Sequence, residues 1–424
     1  MRIAAYFSLF RENPDFKRLY GAQLIAFGGE WFATVALLGL FLDLSGSAAI
    51  ASLVLVLQTG GFAAFAPMAG ILADRLDRRR LLIVANVARA PLPLAFLLVG
   101  DAGTLWIAFV LIVTMAAGAA IFEPTSSASL PNLVDSRRLP EANVLIGSAW
   151  GTMLAVGAAA GGIAAATLGR EAVFVITALT FSISAWIISG IRRPLQQPRD
   201  LSHGDAHFGI LQSLGTAIAF ARSRRLVGVL LLSKTAFGFG AGNVALLAVF
   251  GSGVFGAGDA GIGLLFAARG LGALAGPFMA RALFGTSDRG LLLGIGTSLA
   301  VVAASYGLFP IAPVIWVAAL MVFAAHCGAG AQWTLSTLGL QRVTPDALRG
   351  RVFSFDYMLV TLTVTFSSLV AGFLADAFSP AVAVWAMVGL IVLAGAVWAA
   401  FARPLLLADS EGDERAPLST ASPD

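Results

Sequence analysis

Charge is what this chain has least of. Asp, Glu, Lys and Arg together make up 12% of its 424 residues, against roughly 25% in soluble domains, which excludes a fold wetted on every side. There is a single cysteine, Cys327, so no internal disulfide can form. Histidine is nearly absent as well. His203 and His207 lie four apart in a polar stretch, and His326 adjoins Cys327, so a cation site has little to draw on. No G-x-x-x-x-G-K-[ST] loop occurs, which excludes ATP hydrolysis of that type. No clustered nucleophile and base suggests an enzyme. The opening residues MRIAAYFSLFRENPDFKRLY lack an apolar core followed by a cleavage site, so no removable signal peptide is expected.

What is present is apolar sequence, 58% of residues with a mean hydropathy of +0.88. It comes in runs of about 20 residues, the length a helix needs to cross roughly 30 Å of hydrocarbon. Such runs are too long for barrel strands, so the predicted fold is an all-α membrane bundle. Twelve spans are expected, near 19–42, 49–72, 81–99, 104–122, 142–168, 171–190, 226–250, 259–281, 290–309, 312–338, 352–374 and 381–402.

Residues 1–190 then form one six-helix bundle and 226–402 a second. Between them, 191–225 reads as a polar linker with a surface helix around FGILQSLGTAIAFARSRR, and 403–424 as a disordered tail. All but four of the 27 lysines and arginines fall on the terminal segments or the loops after even-numbered helices; the exceptions are Arg89, Arg170, Lys234 and Arg269. The positive-inside rule therefore places both termini in the cytoplasm. The pI of 9.7 is accounted for by these loops and does not point to nucleic acid. Two strings in the first and seventh spans, VALLGLF (Val35–Phe41) and VALLAVF (Val244–Phe250), suggest that the halves are copies.

One short loop carries most of the remaining information. GILADRLDRRR, from Gly70 to Arg80, joins two apolar spans with four arginines and two aspartates. Its pattern resembles the G-x-L-A-D-R-x-x-R-R signature between helices two and three of the major facilitator superfamily. ENPDFKRLYGAQLIAFGGEWF (12–32), FEPTSSASLPNLVDSRRLPEAN (122–143) and LRGRVFSFDYML (348–359) resemble its bacterial exporter branch, which includes the enterobactin exporter and related drug and siderophore efflux proteins. The second of these stretches resembles the segment joining helices four and five. There are departures: Asp77 stands where the superfamily often has glycine, the fourth helix lacks a membrane-embedded arginine, and GAAAGG (157–162) has Ala158 in place of the antiporter proline.

The resemblance implies two pseudo-symmetric six-helix bundles, a multi-pass monomer in a bacterial inner membrane, and proton-coupled efflux of a small organic molecule by alternating access. The partners implied are that substrate and the lipid bilayer; no cofactor is implied, the proton gradient supplying the energy. Metal-ion export, or a membrane receptor or scaffold that has lost transport, are the alternatives.

Glu30 falls mid-helix in the first span, where a carboxylate costs about 2.5–3.5 kcal/mol on insertion scales and must be paired, hydrated or protonated. It is the candidate for proton coupling or substrate binding. Arg269, near mid-bilayer in the eighth span, is expected to be a counter-ion to Glu30 or to an anionic substrate. Arg89 and Lys234 are expected to snorkel to the interface. Gln23, Thr34, Gln58, Asn243, Gln332 and Trp333 are further cavity-lining candidates, equally explained by interhelical hydrogen bonds. Around the cytoplasmic loop, Gly70, Asp74, Arg75, Arg78 and Arg79 are expected to form a gate against acids such as Glu123, Asp135 and Asp356, with Arg80 fixing topology only.

Overall fold

The computed structural model describes residues 3–196, 210–285 and 287–414. Among the described residues, twelve helices are long and apolar enough to cross a membrane. In chain order they are α1 (Pro14–Ser45), α2 (Ala48–Arg75), α3 (Arg78–Leu98), α4 (Ala102–Leu133), α5 (Leu139–Leu168), α6 (Arg170–Ser189), α7 (Arg225–Val254), α8 (Gly258–Phe284), α9 (Asp288–Ile311), α10 (Ile315–Val343), α11 (Asp346–Ala377) and α12 (Pro380–Glu414). Two shorter helices accompany them, Ile3–Glu12 and Ile210–Ser223. The second lies within the expected surface helix and packs on α7 and α11.

Local chemistry sets the ends of several spans. Gly46, at φ 63°, closes α1 by donating its N–H to the Leu42 carbonyl at 2.8 Å, a left-handed cap that glycine adopts without a Cβ penalty. Ser47 then caps α2, accepting from the Ile50 amide at 3.1 Å, and Asp77 caps α3, accepting from the Arg80 amide at 2.8 Å. Two spans change character internally: α3 breaks after Arg89 at Pro91, and α7 turns at Ala241–Gly242 and ends in a π-helical turn, Val249–Val254.

Two expectations about boundaries are corrected. FEPTSSASLPNL is no connecting segment; it is the last third of α4, which runs to Leu133 through Pro124 and Pro131. Thr125 and Ser129 bond back to the carbonyls of Ile121 and Thr125, at 2.6 and 2.7 Å, and the neighbouring helices hold the segment in place. Glu123 therefore sits well inside the bundle. The tail was expected to be disordered from residue 403, yet α12 continues past Pro404 to Glu414.

Residues 35–38 and 245–248, the cores of the two echoed strings, are fully buried in the first span of each half. The halves meet along two seams, α5 on α8 and α2 on α11. Glycine makes both possible. A Cβ on Gly263 would lie 2.7 Å from the Ala158 carbonyl oxygen, one on Gly270 2.4 Å from the Ala155 amide nitrogen, and one on Gly372 2.7 Å from the Ala49 Cα. The two G-x-x-x-G spacings serve within the halves: Gly157 and Gly161 pack on the α1 backbone, Gly272 and Gly276 on that of α10. Because the obstructing atoms are backbone, Gly263→Val is expected to part the α5–α8 seam and lower stability by about 1–3 kcal/mol, read as the thermal unfolding midpoint in detergent.

Candidate functional site

The centre of the N-terminal half holds an ion pair that depth along a helix did not reveal. Arg89 lies roughly 16 Å into α3 at 1.5 Å per residue, and it does not snorkel: the residue is 1% exposed. Its guanidinium sits between the rings of Phe122 and Phe181, 5.3 and 4.5 Å from their centroids. One edge donates from Nη1 to Oε1 of Glu30 at 3.0 Å, and Nη2 donates to Oδ1 of Asn86 at 2.5 Å. Asn86 in turn donates to Ser184, and Ser184 to the Ala22 carbonyl, both at 2.8 Å. One chain of bonds thus ties α3, α6 and α1 around the pair. Gly118 on α4 leaves the space for the arginine stem, since a Cβ there would lie 2.6 Å from Arg89 Cγ and Cδ.

The two partners differ in access. The Arg89 side chain is 2% exposed and that of Glu30 24%. Helix α1 is packed on α2, α4, α5, α6 and α8. Glu123 on α4 lies within electrostatic range of both Glu30 and Arg89, and of Tyr357 on α11 across the seam. Nearby, Gln58 donates to Thr34 at 3.0 Å and Thr34 to the Glu30 carbonyl at 2.7 Å, while Ser126 donates to Gln23 at 3.2 Å. These three polar residues are helix-to-helix ties.

The C-terminal half has a second buried pair. Lys234 on α7 does not snorkel either; it bonds Asp356 on α11, donates to Thr337 at 3.0 Å and lies 4.7 Å from the Trp333 ring centre. Asp356, expected at the gate, is thus an intramembrane partner and 3% exposed. Gln332 donates to Ser233 at 3.2 Å, leaving its Oε1 unbonded, and both amide atoms of Asn243 are buried without a partner.

Arg269 is not the counter-ion of Glu30; Arg89 takes that place. Arg269 instead faces Trp31, Trp150 and Phe266, with 5.3, 5.6 and 5.7 Å to their ring centres. Its Nε and Nη1 are buried and unbonded. His326 is engaged by the Tyr306 hydroxyl at 2.9 Å.

The loop arginines do not reach the acids named for them. Arg78 bonds the carbonyls of Ala128, Leu195 and Ala73, at 2.6, 3.3 and 3.4 Å, and Arg79 bonds that of Ser189. Arg78 therefore clamps α2, α4 and the segment after α6, and Arg79 holds the end of α6, all within one half. Arg75, Arg80 and Asp135 are exposed. The surroundings of Gly70 and the side chain of Asp74, and His203 and His207 altogether, lie outside what the structure describes.

The latch between halves that the sequence did not reveal is at the end far from the termini. Arg170 makes a bidentate pair with Asp259 of α8, 2.8 and 3.0 Å, and reaches Asp43 of α1 at 2.8 Å. Asp376 of α11 accepts from the Ser47 hydroxyl at 2.5 Å and the amides of Ala48 and Ala49 at 2.6 and 3.1 Å, capping α2 from the opposite half. Arg170 was the sole basic residue on its side of the sequence, a signal that could have marked it.

Comparison with known proteins agrees with this architecture. The fold is similar to a bacterial homolog of the human lysosomal transporter Spinster, solved inward-facing and unoccupied (TM-score 0.73, 15% identity, covering 92% of this chain and 96% of that one). It is similar also to a POT family transporter in complex with 5-aminolevulinic acid (TM-score 0.74, 10% identity, 92% and 96% covered). Among curated relatives, the uncharacterized MFS-type transporter YfiS of Bacillus subtilis (strain 168) is 26% identical over 42% of this chain and 43% of its own length. BacE of Bacillus amyloliquefaciens, described as a proposed bacilysin exporter, is 30% identical over 42% and 45%. The matched stretch thus spans less than half the length of these relatives. The model of the MFS_3 family, transmembrane secretion effectors, matches residues 4–420. The chain belongs to that family, and it is a multi-pass membrane transporter of the major facilitator type.

Proposed function

We propose that this transporter exports a small organic molecule, a drug, siderophore or other metabolite, by proton-coupled alternating access, as a monomer in a bacterial inner membrane with both termini in the cytoplasm. The observation that carries the reading is the Glu30–Arg89 pair, sealed on the arginine side and open on the carboxylate side. A low-dielectric interior favours neutrality. Glu30, Arg89 and Glu123 carry one fixed positive charge and two carboxyls, so neutrality is met with one proton on the acids. Moving that proton changes the local charge by one unit at a partly exposed group. With the arginine-rich loops in the cytoplasm, the latched end is the outer one, which supports an inward-open arrangement in this structure.

The alternative of metal export has no observation in its favour. Tyr306 engages His326, and among the described residues no group of three or more His, Cys, Asp or Glu is placed to hold an ion. The test is transport in proteoliposomes with an imposed pH gradient. Glu30→Gln is expected to abolish gradient-driven accumulation while exchange of cargo across the same vesicles, with no gradient, persists. Equal gradient-driven transport in wild type and Glu30→Gln would remove Glu30 from the coupling step.

A further inference from the structure

Among the described residues, Arg269 is the unusual charge within a membrane span, because it has no counter-ion there. Among the described residues no acid lies within ion-pair distance, and two of its three side-chain nitrogens are buried without a hydrogen bond. An unpaired cation with two buried, unsatisfied donors is destabilising. The rings of Trp31, Trp150 and Phe266 offset part of this through their π-faces. They are not acceptors for N–H donors in the guanidinium plane. What the plane lacks is an oxyanion, and a guanidinium edge matches a carboxylate in bidentate fashion.

The position argues that the missing anion comes from the cargo. Trp31 and Trp150 belong to α1 and α5 of one half, Phe266 and Arg269 to α8 of the other, so the cage straddles the seam between halves. Arg269 is only half-buried, hence not sealed from an incoming group. A ligand placing its carboxylate on Arg269 would lay its apolar body against the indoles and touch both halves at once. Tyr306 and His326, bonded to each other, lie within electrostatic range of the arginine and contribute no negative charge of their own while neutral.

We infer that Arg269 and its indole walls form the cargo's anion subsite, and that the cargo is a carboxylate-bearing organic molecule with an apolar body. The inference rests on the transport reading above but not on Glu30. The probes are 4-phenylbutyrate, its uncharged amide, 4-phenylbutylamine and formate, titrated against the purified protein in detergent and read by quenching of tryptophan fluorescence. Phenylbutyrate is expected to bind at least about tenfold more tightly than the amide or the amine (about 1.4 kcal/mol), and formate, lacking a body, far more weakly. Arg269→Gln should erase the preference, and Arg269→Lys should retain part of it, which guards against a merely misfolded variant.

Equal binding of carboxylate and amide by wild type, or an unchanged preference in Arg269→Gln, would overturn the inference. Formate binding as tightly as phenylbutyrate would also overturn it, by identifying a site for free small anions. Glu30→Gln should keep the carboxylate preference. Failure of proton coupling and failure of this subsite are therefore read in separate experiments.

Discussion

Arg89→Ala is expected to cost about 3–5 kcal/mol of stability, more than any other single change considered for this chain. The substitution strips Glu30 of its countercharge, leaves the Asn86 Oδ1 without its donor, and opens a hollow between Phe122 and Phe181. It leaves two carboxyls within electrostatic range of each other without their shared cation. The loss should therefore be mostly electrostatic, and removing the acid should recover part of it. Glu30→Gln combined with Arg89→Met, neutral and of similar volume, is expected to regain at least half of the lost stability. Thermal unfolding midpoints in detergent for wild type, both single variants and the pair decide the matter. A double variant as unstable as Arg89→Ala would mean that the guanidinium's own hydrogen bonds, and not its charge or its volume, are what the arginine supplies.

The second large effect is expected at the far-end latch. Arg170 holds Asp259 in bidentate fashion and touches Asp43, its side chain 22% exposed and that of Asp259 9%. Charge-assisted bonds in such settings contribute about 1.5–3 kcal/mol. Arg170→Gln should therefore shift the balance between closed and open far ends by roughly ten- to a hundredfold. Spin labels at Leu168 and Phe378, both highly exposed and on opposite halves, report the change as a new long-distance population in lipid nanodiscs. Asp259→Asn should move it the same way, and Asp376→Asn should add to it by uncapping α2. An unchanged distance distribution in all three variants would mean that the glycine seams alone hold this end shut.

How far the chain could be read from its sequence divides along one line. Properties that depend on position along a helix were legible; those that depend on direction around it were not. Hydropathy places twelve spans because each apolar run must cross the same thickness, and Glu30 stands out because a carboxylate at mid-span is costly wherever it points. The partner of Glu30 is another matter. Arg89 is near enough to a helix end to snorkel, and only its angular position, toward Phe122 and Phe181, turns it inward. Arg269 was expected to have no exit and is half-buried; the rings that face it come from α1, α5 and its own helix α8. Glu123 was misplaced for a different reason: two prolines and a run of serine and threonine read as a loop, whereas α4 absorbs them.

The bond chain from Arg89 through Asn86 and Ser184 to the Ala22 carbonyl has a consequence for how energy is passed on. Every member belongs to the same half, so if the halves rock as proposed, the spacing between Glu30 and its cation would stay unaltered. On that reading the ion pair is ballast fixed to one hull, and only the water that can reach it would change from stroke to stroke. Such a machine would work as a valve and not as a lever, and its stoichiometry should tolerate weakened hinges better than a leak in its plumbing.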